Sequence, residues 1–370
     1  MHYDCLVVGA GITGSCLANI LANCYNKNVL LIDKRNHIAG NCYDYKNEIG
    51  ITIHKYGAHI FHTNNKKVWD YLSKYTSWNY YFHKVKAVVE GSKVTIPFNL
   101  KTIEEIFPHN ISNRIISKLL DKYEYGSKIS ILDFKENDDK DIKFIYQYVY
   151  KNIFENYTIK QWGISPNDID ASVISRVPIY ISNDDRYFQD IYQGIPSNGY
   201  TKLIEKLIDH ENIHINLNTN FSDIKNKDFQ YIFYTGSIDD FFNYKYGILP
   251  YRSIYFENIT INKEYYQETS VINYPNNYDF TRIIEHKHFL DEYSNKTIIS
   301  IEYSEMFDIN RNDRYYPIEN DINRNLHNKY LTEINKLNNV YILGRLGDYK
   351  YYNMDNAVER VLNFMDNFKF

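Results

Sequence analysis

Three glycines near the start of the chain, Gly9, Gly11 and Gly14, stand between the apolar run Cys5-Leu6-Val7-Val8 and a segment in which Leu17, Ile20 and Leu21 share one helical face. A strand, a glycine turn and a helix in that order constrain the fold strongly. Gly9 permits a sharp turn, Gly11 lets backbone approach a pyrophosphate, and Gly14 lets strand and helix pack closely. The helix start then aims free N–H groups, with the Thr13 hydroxyl, at phosphate oxygens. A second apolar run, Val29-Leu30-Leu31-Ile32, ends at Asp33, whose carboxylate can accept both hydroxyls of a ribose. The pattern predicts a dinucleotide-binding, Rossmann-like unit, and the acidic residue argues against a 2′-phosphate. The glycines alone leave NAD and FAD open.

Two later segments favour FAD. Residues 35–44, RNHIAGNCYD, follow the second strand as a basic and glycine-rich segment does in FAD enzymes of the glutathione-reductase type. Gly344-Arg345-Leu346-Gly347 forms a second strand-to-helix turn, suited to anchoring the far end of a long cofactor. No second complete glycine fingerprint appears, so a separate nicotinamide domain is not expected.

With 370 residues, 44% hydrophobic and 24% charged, the chain has the composition of an ordered globular protein of two to three domains. A net charge of −4 gives no reason to expect a nucleic-acid partner or an anionic membrane surface. The cysteines, Cys5, Cys16, Cys24 and Cys42, contain no CxxC pair, so neither a disulfide framework nor a metal cluster is expected. There is no run of about 18 apolar residues and so no membrane insertion. The expected location is cytoplasmic.

Along the chain, residues 84–97 read as a β-hairpin turning at Glu90-Gly91-Ser92. Ile115, Ile116, Leu119, Leu120 and Tyr123 fit one helix face, and Ile142, Ile145, Tyr146, Val149 and Ile153 fit another. The charged run 135–143 reads as a solvated loop. Residues 163–199, punctuated by Pro166, Pro178 and Pro196, read as a long connection without obvious structure, a length more typical of lids or linkers than of filler. Further on, a helix at 203–208, strands at 213–217 and 231–234, a mainly antiparallel sheet from 252 to 303, a late strand at 340–343 and a last helix through Ala357, Val358, Val361 and Leu362 are expected.

Long motifs in fixed order resemble the UDP-galactopyranose mutase family: KYGAHIFHT from Lys55, YTIKQWG from Tyr157, DDRYFQDIYQGIPSNGYT from Asp184, YTGSIDDFF from Tyr234, LPYRSIYFE from Leu249, FTRIIEHKHF from Phe280, YYPI from Tyr315 and GRLGDYKYYNMD from Gly344. The resemblance spans residues 1 to about 360. It implies an α/β protein: an FAD-binding Rossmann-like domain from residues 1–80, 200–240 and 325–370, a helical domain at 100–195 with a mobile substrate loop at about 163–199, and a twisted antiparallel β-sheet domain from 81–99 and 241–324. It also implies a homodimer, reduced FAD as the active cofactor, a separate and unidentified flavin reductant, and a UDP-sugar substrate whose furanose product serves surface glycans.

Moving a sugar from a six- to a five-membered ring needs no net oxidation. The anomeric carbon must release UDP, the ring must open, and another hydroxyl must close it. No lysine is marked by its sequence setting as a nucleophile for that carbon. The resemblance assigns the task to N5 of reduced flavin, through a covalent flavin N5–sugar adduct, with the protein supplying position and charge.

Arg176 and Arg282 match the family's phosphate-binding arginines, whose planar forks suit a diphosphate. Tyr187, Tyr316 and Tyr351 match its phosphate-binding tyrosines. Tyr157 and Trp162 offer a stacking face for uracil, and Phe154, Thr158, Arg252 and Asn273 are further substrate candidates. His59 and His62 are expected beside the isoalloxazine rather than on a metal, for which no third ligand stands at suitable spacing. Arg345 and the helix starting near Met354-Asp355 are expected to stabilise charge on reduced flavin. Lys34, Gly40, Asn41, Ile60 and Tyr351 complete the expected cofactor contacts. The chain departs from the family at Ala39, often a second glycine, Ser237, often proline, His83, often asparagine near the substrate, and Asn353, often aspartate. An amine-oxidase-like FAD oxidoreductase and a non-catalytic flavin-binding module are the rival readings; the first explains the amino-terminal half but not the paired arginines or YTIKQW.

Overall fold

The computed structural model describes residues 2–163, 178–224 and 228–370, which form two compact units. The first contains Met1–Tyr81, Asp190–Ser253 and Phe307–Phe370, and the second Phe82–Gln189 and Ile254–Met306.

The first unit is built on a parallel five-stranded sheet in the order Ile213–Asn216, Val29–Ile32, Cys5–Val8, Tyr231–Tyr234, Val340–Ile342. Register is strict at its centre, where Cys5 lies opposite both Val29 and Tyr231. The two central strands are almost wholly buried, which explains why they read as continuous apolar runs instead of alternating ones. Helix Ile12–Tyr25 follows the first strand and packs beside helices Met354–Asn367 and Tyr200–Leu207. Side chains cross-link these helices: Asn19 Nδ2 donates to Leu207 O at 2.6 Å, and Tyr25 OH to Met365 O at 3.1 Å.

A small antiparallel sheet of Phe61–Thr63, Tyr192–Pro196 and Trp78–Asn79 is covered by stacked rings. Trp69 stands 4.3 Å from Trp78 and 5.1 Å from Tyr192, centroid to centroid. This aromatic plate fixes the strand that carries His62.

In the second unit the sheet runs, from Ile254 outward, through Tyr251–Ile261, Thr297–Met306, Arg282–Glu285, Val271–Asn273, Val85–Val89 and Ser92–Ile96. Val271–Asn273 pairs parallel with Val85–Val89, and the hairpin and the Arg282–Glu285 pairings are antiparallel. The predicted hairpin is present, with Glu90 and Gly91 both at positive φ and Val85, Ala87 and Val89 buried. Helices Leu100–Ile106, His109–Lys122 and Lys140–Val149 follow.

Three sequence expectations need correction. The 163–199 stretch is not without structure: Pro178–Tyr180 pairs with Lys128–Ser130, and Tyr192–Pro196 is the middle strand of the small sheet. Pro178 and Pro196 sit at strand ends, where a missing N–H costs no ladder bond; Pro166 lies outside the described residues. The charged run 135–143 is not all loop, because Asp139 caps the Lys140–Val149 helix by accepting from Asp141 N–H and Ile142 N–H. That helix also does not stop near Ile153 but passes through a π-helical turn, Tyr150–Glu155, into Asn156–Trp162.

The tightest approach in the first unit is between backbones. A Cβ built on Gly14 would stand 1.8 Å from Gly9 O, and that oxygen cannot swing aside. Alanine's helix preference over glycine, about 1 kcal/mol, is too small to offset such overlap. Gly14→Ala is expected to lower unfolding free energy by about 2–3 kcal/mol, measured by denaturant titration of flavin-free protein; unchanged stability would contradict this packing.

Candidate functional site

A cavity of about 380 Å³ opens in the first unit at the carboxyl ends of the parallel strands. Every strand of that sheet contributes residues that follow it: Gly9 and Gly11 to Thr13, Asp33 to Arg35, Thr219 to Ser222, Thr235 to Ser237, and Arg345 with Leu346. Ligands bind at such sheet edges because successive turns and helix starts converge there.

The glycine turn is built as its spacing requires. Gly9 has φ +102°, and a Cβ there would stand 2.2 Å from Thr235 Oγ1. Gly11 differs: its Cβ would meet only Gly40 Cα, at an ordinary 3.7 Å. Protein packing does not require glycine at 11, yet the residue lines the cavity. A bare backbone facing a cavity at a helix start fits a pyrophosphate laid against it. Asp33 fits the adjoining ribose. Its carboxylate is aimed by two backbone bonds, from Ala10 N–H at 2.8 Å and Arg35 N–H at 2.9 Å, and each oxygen keeps a lone pair for a hydroxyl. These residues fit a dinucleotide such as FAD.

Lys34 and Arg35 stand beside Asp33 and both pair with Asp313, at 3.4 and 3.0 Å. Burial works against charge on Asp313, but Arg35 and Lys34 overcome it and hold the carboxyl below its usual range. Arg35 also stacks over Tyr56 at 4.3 Å and donates to Asn41 Oδ1 at 3.0 Å. Ala39 adopts φ +70°, so the turn keeps the left-handed backbone natural to glycine although alanine occupies it. Gly40 packs on Gly11, and a Cβ on it would stand 2.9 Å from Gly11 Cα.

At the other end, Arg345 lies in the short helix Gly344–Gly347 and lines the cavity. Its Nε donates to Tyr352 O at 3.0 Å, and Nη2 bonds the same oxygen. The guanidinium is flanked by Tyr316 and Tyr351, 5.3 and 5.6 Å from their ring centres, and these rings stack on each other. Met354, first residue of the long last helix, also lines the cavity, and the Cys42 thiol donates to its sulfur at 3.5 Å. Burial pushes the Cys42 thiol up to about 12, so it is not a nucleophile at neutral pH. Asp355 adds a carboxylate to that helix start, and burial raises its pKa.

His59 lines the cavity, its Nδ1 2.7 Å from Gly57 O. Desolvation, reinforced by neighbouring His54, lowers its pKa to about 3, so the ring is neutral. His62 is instead on the small sheet, Nδ1 2.8 Å from Asp190 Oδ2. His62, Ile60, Tyr351 and Asp355 are not among the lining residues, and Gly14 acts from behind the turn. No group of three metal-binding side chains occurs among the described residues.

The wall formed by Thr219 to Ser222, Thr235 to Ser237, Asp240, Phe241, Asn243 and Arg314 was not foreseen. Its sequence signals are position after the strands expected at 213–217 and 231–234 and, for Thr235 to Phe241, membership of the YTGSIDDFF motif. Arg314 is held 3.4 Å from buried Asp239 and stacks on Phe307.

The remaining candidates divide between the units. In the first, buried Arg252 lies opposite Tyr316 in a short strand pairing. In the second, Asn273 lies opposite Arg282, whose Nε pairs with buried Glu302 Oε1 at 2.7 Å. Buried His83 stands 5.7 Å from Tyr187 and 5.9 Å from Phe188, ring to ring. Phe154 closes the π-helical turn, and Tyr157, Thr158 and Trp162 follow on the next helix. On that helix Lys160 is lowered to about 8 by desolvation, and its N–H groups go to three backbone carbonyls. Arg176 lies outside the described residues.

The family described as UDP-galactopyranose mutase matches residues 152–351, and an NAD(P)-binding Rossmann-like domain matches residues 7–75. A probable UDP-galactopyranose mutase of Klebsiella pneumoniae is 38% identical over 98% of this chain and 94% of its own. A dTDP-fucopyranose mutase of Escherichia coli is 34% identical over 96% of each. A crystal structure of reduced UDP-galactopyranose mutase superposes with a TM-score of 0.69 at 16% identity, covering 99% of this chain and 93% of the other, which supports the fold.

Buried His54 anchors the His59 turn, its Nδ1 accepting His59 N–H at 3.1 Å. Burial lowers His54 from 6.5 to about 3. Below about pH 6.5 the unfolded chain takes up a proton there that the folded chain refuses. Stability is therefore complete above that pH and lost as pH falls toward 3, by about 1.4 kcal/mol per pH unit from this residue. Unfolding titrations from pH 7 to 4 are expected to show this slope and His54→Asn to reduce it; identical slopes would contradict the assignment.

Proposed function

Because this chain belongs to the UDP-galactopyranose mutase family of isomerases, we propose that it interconverts UDP-galactopyranose and UDP-galactofuranose with FAD as its resident cofactor. The observation that carries this reading is the presence in one chain of a glycine-faced dinucleotide cavity and the family's motifs around Tyr157, Arg282, Tyr316 and Arg345. When bound in its reduced form, FAD supplies a nucleophile for the anomeric carbon.

The chain's own residues then have definable tasks. Gly11 and the start of the Ile12–Tyr25 helix hold the cofactor pyrophosphate, and Asp33 holds its ribose. Arg345 and the start of the Met354–Asn367 helix face the flavin end and favour negative charge there. In the second unit, Arg282 and the Tyr187 hydroxyl are assigned to the substrate diphosphate and hold UDP while its bond to the sugar is broken, a role the family resemblance also gives Arg176; in the first unit, Tyr316 and Tyr351 are candidate hydroxyl donors to phosphate. Tyr157 and Trp162 stack on the base. Neutral His59 shapes the cavity without adding charge. The helical part of the second unit, from Leu100 to Trp162, is the substrate-handling region. We further read the chain as a cytoplasmic homodimer, reduced by a separate flavin reductant and making a furanose donor for surface glycans.

A relative named as a dTDP-fucopyranose mutase makes the sugar a matter for direct assay. Dithionite-reduced, FAD-loaded protein incubated with UDP-galactopyranose, UDP-N-acetylgalactosamine, UDP-arabinose and dTDP-fucopyranose is expected to give furanose product most rapidly from UDP-galactopyranose, read by chromatography and NMR. Oxidised sugar would favour an oxidoreductase, and no product from any sugar a binding module; either outcome overturns the proposal.

Arg345→Ala is expected to lower kcat of the reduced enzyme roughly 10- to 100-fold, the range for losing one preorganised charge-stabilising donor, with FAD content retained. An unchanged kcat would remove Arg345 from the charge-stabilising role.

A further inference from the structure

Lys160 is the one cation on the Asn156–Trp162 helix, and its ammonium is used in an unusual way. It donates to Tyr274 O, to Tyr278 O at 3.1 Å and to Phe280 O at 2.9 Å. Three donors thus meet three carbonyls of one short segment, which matches the full donor count of a lysine. Each bond is charge-assisted, and a side chain of the same length without N–H groups would leave half-buried carbonyls to repel one another. An amine committed in this way is a tether and not a nucleophile.

What the tether joins is informative. The 274–280 segment connects strand Val271–Asn273 to strand Arg282–Glu285, so the phosphate candidate Arg282 begins where the clamped segment ends. The helix carries the base-stacking candidates Tyr157 and Trp162 on either side of Lys160. Neighbouring bonds reinforce the same junction: Asn156 Nδ2 to Asn276 Oδ1 at 2.7 Å, Asn276 Nδ2 to Asn152 O at 2.6 Å, and Ser304 Oγ to Gln161 O at 2.9 Å. Glu302 holds Arg282 from the adjacent strand. All of this lies within the second unit.

We propose that Lys160 is a positioning residue for the nucleoside diphosphate, setting the separation between the Tyr157–Trp162 helix and Arg282 so that base and diphosphate are gripped at the same time. The inference rests on the function proposed above. Simultaneous grip matters because binding two linked groups at a fixed spacing avoids ordering the protein anew for each. The ammonium remains largely protonated at neutral pH despite its desolvation.

The test uses FAD-loaded full-length protein and the variants Lys160→Met and Lys160→Arg. Lys160→Met is expected to raise the Kd for UDP and the KM for UDP-galactopyranose at least tenfold by calorimetry and steady-state kinetics. It should change kcat at saturation and the Kd for uridine less than threefold, and leave the FAD-to-protein ratio unchanged. Lys160→Arg, whose fork still donates to carbonyls, should recover most of the UDP affinity. A UDP affinity within twofold of wild type in Lys160→Met, or equal losses for UDP and uridine, would overturn the inference. Should Lys160→Met fail to fold, Asn276→Ala decides: it removes the neighbouring bond, and a UDP-selective loss of threefold or more supports the clamp while unchanged UDP binding overturns it. Wild-type protein that binds no UDP would overturn the functional reading and this inference together, whereas an indifferent variant beside a binding wild type sinks the inference alone.

Discussion

The close approach of two backbones, Gly14 against the carbonyl of Gly9, underlies the organisation of the first unit. It seats the first helix directly on the end of the first strand and turns its opening N–H groups toward the cavity. Asp33 can then reach across to Ala10, which ties the second strand's end to the same turn. Gly40 closes on Gly11 from the other side. The cavity floor is consequently made of backbone, and its specificity for a phosphate-bearing ligand comes from absent side chains as much as from present ones.

This part of the fold was legible because its signals are local. The strand, turn, helix and acid follow one another within the first stretch of the chain, and each residue's reason for being there depends on near neighbours. The hairpin at Glu90-Gly91 was legible on the same ground. The far wall of the cavity was not, since Asn220, Phe241 and Arg314 are far apart in sequence and meet only in the folded unit, and the YTGSIDDFF motif that holds Phe241 does not by itself place it at a cavity. Strand Tyr192–Pro196 was missed because its stability comes from Trp69 and Trp78, far away in sequence. The π-helical turn at Tyr150–Glu155 escaped because apolar spacing at 142–153 suits an ordinary helix equally well. Lys160 was noticed only as a letter in a motif; the three carbonyls that give it meaning belong to a segment more than a hundred residues later.

The charge pattern suits an isomerisation. The histidine that faces the cavity is neutral, and the cysteine that faces it is a protonated thiol. Cationic side chains, by contrast, are Arg345, which lines the cavity of the first unit, and Arg282, held by Glu302 in the second. On the proposed reading, in which bound FAD supplies the nucleophile, the protein's task is to hold two polyanionic ligands and stabilise the departing diphosphate. A family relative named for another nucleotide sugar, the dTDP-fucopyranose mutase, is consistent with this division.

Electron counting under anaerobic conditions tests the central claim most directly. Protein whose flavin is reduced once, with excess reductant removed, should convert many equivalents of UDP-galactopyranose per flavin while the flavin spectrum stays that of the reduced form. Product that stops at one equivalent per flavin, with the oxidised spectrum returning, would mean that electrons leave with the sugar and would contradict the account.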